Sequence, residues 1–199
     1  MSAGLILLVV IYFSAFQLYR DPGSASGPAG ANDVLPFQVL FRDLPGPEQR
    51  IFRAMQEGLE EAATRRASAG EWPEVEALAA QDIPPFARDV LDKTQIRWEL
   101  RRDGLLRNYV GTPSASPDAP AFLILIQEPD PVTGEKPQLG AGAPVDEEHK
   151  LLADGTLLHV TYWERSPPAS GSGIIAQPEI EGWTQIRVAS PFANLEVRQ

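Results

Sequence analysis

The spacing of apolar residues changes once along this chain, near residue 95, and that change limits the fold more than any other feature. Between Ile51 and Ala63 the apolar side chains return at helical spacing. Ile51, Met55, Leu59 and Ala62 form a stripe that Phe52 and Ala63 widen, with Glu57, Glu60, Glu61, Arg65 and Arg66 on the other side. Pro47 suits a first helical turn and Gly70 a stop. Trp72-Pro73 opens a short second helix with Val75 and Leu78 turned inward, ended by Ile83-Pro84-Pro85-Phe86. Beyond that point the period is two: Ile96, Trp98 and Leu100 alternate with Arg97, Glu99 and Arg101, as in a half-buried strand. Asp103-Gly104 reads as a turn, and Leu105 to Val110 returns antiparallel. Ala121 to Gln127 (AFLILIQ) is apolar almost throughout and suits a central strand covered on both faces, while Leu157 to Glu164 and Trp183 to Val188 supply two more. A helix followed by antiparallel strands predicts an α+β domain, the amphipathic helix lying on an antiparallel β-sheet.

Ahead of that domain, Ala3 to Phe16 reads AGLILLVVIYFSAF without a charge. It falls just short of the ~20 residues that span a bilayer core, and Tyr12, Tyr19 and Arg20 suit the interface. Residues 1–20 therefore read as a transmembrane anchor, an N-terminal membrane helix meeting the bilayer through residues 3–19. A cleaved signal is the alternative. Gly23-Ser24-Ala25 offers a cleavage site, but the positive leading region is missing and the apolar run exceeds a typical signal core. Residues 21–35 (DPGSASGPAGANDVL) have the composition of a flexible tether, which leaves 36–199 as a soluble α+β domain. Arg20 beside the apolar run slightly favours a cytoplasmic domain, yet long domains cross regardless of such small biases. The expected placement is outside the cytoplasm.

Composition narrows the function. The formal net charge is −10, from 27 acidic against 17 basic residues, which argues against nucleic acid as a partner. With no cysteine, disulfides, thiolate zinc sites and thiol nucleophiles are excluded. No phosphate-cradling glycine loop, dinucleotide fingerprint or nucleophile elbow occurs, and the chain has only two histidines. The expectation is a non-enzymatic protein. Trp72, Trp98, Trp163 and Trp183 each sit in or beside an expected element and read as core. The loops at 112–120, 129–145 and 165–182 are rich in Pro, Gly and Ser and long enough to carry a binding surface.

One constellation carries chemistry: Asp146-Glu147-Glu148-His149, then Lys-Leu-Leu-Ala, then Asp154-Gly155-Thr156-Leu157-Leu158-His159. Ala153-Asp154-Gly155 reads as a three-residue hairpin loop with Gly155 left-handed. In that register Leu152 faces Thr156, Leu151 faces Leu157 and His149 faces His159. The two imidazoles can then share a divalent metal, zinc or iron(II), with Glu147, Asp146 or Glu148 adding oxygen. Without metal the same pair responds to protons near neutral pH. A two-residue loop at Asp154-Gly155 instead opposes His149 to Val160 and separates the histidines.

Two resemblances bear on these readings. A membrane segment, a helix, a Trp-Pro turn and an antiparallel sheet resemble the pilin and pseudopilin architecture. This chain departs from it, because the 21–35 tether interrupts the helix and no Gly-Phe processing site with a following Glu is present. The segments EWPEVEALAAQDIPPFARD, NYVGTP, LILIQEPDP and DEEHKLLADGTLLHVTYW resemble an uncharacterised family of single-pass, membrane-anchored proteobacterial proteins encoded beside metal or iron–siderophore uptake systems. That resemblance implies an inner-membrane protein with its domain in the periplasm, acting as an accessory to an inner-membrane transport or reductase complex. In that family a second histidine often follows the first, where this chain has Lys150. The alternative function is a pilin-like structural or assembly subunit of a cell-envelope machine.

Overall fold

A computed structural model describes residues 34–88, 94–116, 118–131, 147–166 and 173–188. The expected anchor and nearly all of the tether, as well as Asp146, lie outside the described residues. Val34–Gln199 forms one compact unit. Its first strand, β1 (Gln38–Leu40), leads through a 3-10 turn at Phe41–Asp43 into α1 (Gly46–Ala69). Strand and turn thus precede the long helix, unlike a pilin, where one helix runs from the membrane into the domain.

The helix forms where the stripe predicted it. Pro47 occupies its first turn, and Gly70 closes it at φ 80°, donating its N–H to the Arg66 carbonyl. Phe52, Met55, Leu59, Ala62 and Ala63 are buried along its inner side. The short α2 (Val75–Ala79) buries Val75 and Leu78.

The strands β2 (Ile96–Asp103), β3 (Leu106–Pro113), β4 (Ala121–Gln127), β5 (His149–Leu151), β6 (Leu157–Arg165) and β7 (Thr184–Arg187) complete a seven-stranded sheet. Its order is β1-β7-β6-β4-β3-β2, with β5 also on β6. The sheet is mixed rather than wholly antiparallel, because β1 runs parallel to β7, Val39 opposite Ile186. This corrects the sequence expectation. A three-residue strand has no measurable periodicity, and its partner lies at the far end of the chain.

β4 shows why the middle of the sheet holds. Phe122, Ile124 and Ile126 face α1 and join Met55, Leu59, Trp98, Tyr109, Leu158 and Val160 in the main core. Leu123 and Leu125 point the other way, toward Trp163, Ile175 and Trp183. Asn108, fully buried, fastens the covering segment by accepting from the Ile175 N–H at 2.6 Å and donating to its carbonyl at 3.3 Å. All four tryptophans are core residues, as expected. Among the described residues no helix is long and apolar enough to cross a membrane.

Candidate functional site

The site begins with a turn. Leu152 donates to the Thr156 carbonyl at 2.8 Å and Gly155 to the Leu152 carbonyl at 3.0 Å, closing the loop over Ala153-Asp154-Gly155. Gly155 takes φ 85°, a conformation glycine adopts without strain. The Asp154 carboxylate accepts the Thr156 N–H at 2.9 Å. That bond is the first cause holding its pKa below the usual carboxylate value, with the Arg66 guanidinium a lesser one.

This turn sets the register. Leu151 opposes Leu157, Lys150 opposes Leu158 and His149 opposes His159, so the two-residue-loop alternative is overturned. The imidazole centroids lie 5.2 Å apart at an interplanar angle of 66°. Alternation decides which way the rings face. Leu158 and Val160 pack into the α1 core, so His159 and its partner His149 stand on the opposite face of the sheet. Lys150 turns to the α1 face and pairs with Glu60.

The carboxylates divide between partners. Glu148 places Oε2 3.4 Å from His159 Nε2, accepts the Gln185 amide at 2.9 Å through Oε1, and lies 3.7 Å from Arg187 Nη1. Glu147 pairs with the Arg187 guanidinium instead of turning to the histidines. Of the candidates the structure describes, it brings His149 and His159 together, sets Glu148 beside His159 and holds Glu147 apart. Among the described residues no group of three or more His, Asp and Glu is arranged to hold a metal ion.

The setting is a division in the sheet. β7 pairs with β6 along Tyr162 to Glu164 and β5 pairs with it along Leu157 to His159, on the same side. Between them Val160 and Thr161 border a cleft of about 240 Å³, which Phe52 and Gln56 of α1 reach and Glu147, Glu148 and Arg187 close. The ion pairs of Arg187 thus tie the ends of β5 and β7 across this gap. Gln185 extends the network by accepting from the Gln38 amide at 2.7 Å.

A family model described as "Family of unknown function (DUF6162)" matches residues 38–191. The chain belongs to this family. The match takes in β1, both helices, every other described strand and the histidine hairpin. Comparison with curated proteins and with solved structures gives no match.

A second cluster was not anticipated from sequence. Glu48, in the first turn of α1, is hydrogen-bonded to Glu164 of β6, whose Oε2 is buried without a partner among the described residues. Burial first, then the charge and hydrogen bond of Glu48, pushes the Glu164 carboxyl up to about 7. Burial also raises Glu48, partly offset by its bond to Glu164. The signal was present: in β6 the inward positions run Leu158, Val160, Tyr162, and the next is Glu164.

Proposed function

We propose that this protein is a non-enzymatic accessory protein of a metal or iron–siderophore uptake system. In this reading residues 3–19 anchor it in the inner membrane, its domain stands in the periplasm, and it docks on a transport or reductase complex. The chemistry it brings is a zinc or iron(II) site on the β5–β6 hairpin, ligated by His149 and His159. The observation that carries the reading is the 5.2 Å separation of the two rings. Two imidazoles sharing a tetrahedral ion at about 2.0–2.1 Å per nitrogen have centroids roughly 5 Å apart. Glu148 beside Nε2 of His159 favours a proton there and leaves Nδ1 to bind, the usual role of a carboxylate behind a histidine ligand. Two protein ligands leave coordination positions free for water or a chelator, which suits passing a metal on rather than storing it.

Titration of residues 34–199 with zinc and with iron(II) by calorimetry tests this, beside the His149→Ala/His159→Ala variant. One equivalent bound by the wild type and none by the variant is the expected result. No heat from the wild type, or equal binding by both, removes the hairpin as a metal site.

A further inference from the structure

The outer edge of β2 supplies an inference that does not depend on the metal site. β2 ends the strand order, and among the described residues no strand covers its far side. Unlike β1, it is long: Ile96–Asp103, paired with β3 from end to end. From Arg97 to Asp103 this edge presents a row of backbone donors and acceptors to any strand that can lie against it. Trp98, with the partly buried Ile96 and Leu100, packs on the α1 side, so Arg97, Glu99, Arg101 and Asp103 share the other face.

Those four residues alternate in sign. When β2 is laid antiparallel to a second copy about a two-fold axis through Leu100, residues whose numbers sum to 200 face each other. Arg97 then opposes Asp103, and Glu99 opposes Arg101, each pair occurring twice by symmetry. Shifting one step along the pleat destroys the match in either direction. One shift opposes Arg97 to Arg101 and Glu99 to itself; the other opposes Glu99 to Asp103 and Arg101 to itself. Like charges directly opposite destabilise a strand pair and opposite charges support it, so the face selects its register. Glu99 and Arg101 already pair within the strand, with Arg101 Nη1 also donating to the Gly173 carbonyl at 2.7 Å. Arg97 and Asp103, by contrast, are exposed and have no ion-pair partner among the described residues. On the opposite face Leu100 meets its own copy and Trp98, buried against Phe86, comes to lie across from Arg102, which pairs with Glu74 of its own chain. We propose that β2 pairs with β2 of a second copy of this chain in the 97–103 register, joining two seven-stranded sheets into one.

The absence of cysteine makes the test clean. In the purified full chain, Leu100→Cys places one thiol on the axis, opposite its twin at a Cβ separation of about 4.5–5.5 Å. Mild oxidation or a short bifunctional thiol reagent should convert it to a covalent dimer. Arg97→Cys is the control, because its two copies stand six residues apart along the strands, roughly 20 Å, and should stay uncoupled. Sedimentation of charge variants supplies a readout that leaves Leu100 intact. Arg97→Asp and Asp103→Arg should each weaken association about tenfold, and the double exchange should restore it. The proposal is overturned by a monomeric wild type, by equal coupling of both cysteine variants, by self-association that the exchange leaves unmoved, or by a Leu100→Cys thiol that couples only to a different protein.

Discussion

Glu164 lies among the inward positions of β6, where desolvation makes its charged form costly and Glu48 adds a like charge. The sign of its effect on stability follows from the direction of its shift. Its carboxyl titrates near its ordinary value of 4.5 in the unfolded chain and at about 7 in the native protein, so between those values the native state holds the extra proton. Its contribution is therefore fully present below about 4.5 and is lost as pH rises through 7. Glu48 is raised as well and acts in the same sense. Glu164→Gln keeps a donor for Glu48 and removes the titration. The urea midpoint of the wild type should fall from pH 5 to pH 8 more steeply than that of the variant, in which the smaller Glu48 titration remains, leaving the variant more stable at pH 8. Parallel profiles for the two proteins would show that Glu164 is not the group responsible.

At the scale of elements, α1 is fixed by what crosses it. A Cβ on Gly58 would lie 2.3 Å from the Pro84 carbonyl oxygen and 2.8 Å from Phe86 Cε2, against backbone and an aromatic ring that have little room to give. Alanine improves helix propensity by roughly 1 kcal/mol, but overpacking of this kind costs about 1–3 kcal/mol. The backbone clash should prevail. Gly58→Ala is expected to lower stability by about 2 kcal/mol in urea unfolding, whereas Gly46→Ala, with no neighbour within 4 Å, should change it by less than about 0.5 kcal/mol. The same contrast explains what was legible in the sequence. α1 and β2 carry their own periodicity and β4 its continuous apolar run, so their positions followed from neighbours in sequence. The short helix, by contrast, begins at Val75 rather than at Trp72-Pro73, and Asp154-Gly155 admitted two registers between which the structure decides for His149 opposite His159. β1 has three residues and finds β7 across nearly the whole chain. The assignment of Glu147 to Arg187 and of Glu148 to His159 depends on where β7 ends, which no local pattern encodes.

Across the whole domain, the hairpin and the far edge belong to differently secured parts of one sheet. Among the described residues β5 pairs with β6 and no other strand, supplemented by Lys150–Glu60 and the Arg187 ion pairs, while β2 is paired with β3 along its full length and packed on α1. Local opening of β5 should therefore cost less than opening of β2, β3 or β4. In the proposed site, a metal between His149 and His159 would join β5 to β6 at the end of their short ladder and would bind only while that ladder is closed. At 100 times its dissociation constant it adds about 2.7 kcal/mol to the closed state relative to the open one. Amide hydrogen exchange on residues 34–199 should then show slowing concentrated in 148–160, with β2 and β3 unchanged where their exchange proceeds by openings that leave the hairpin intact. A uniform slowing across the sheet would mean that metal acts only against global unfolding and that β5 is no looser than the core. Slowing confined to another segment would place the metal elsewhere.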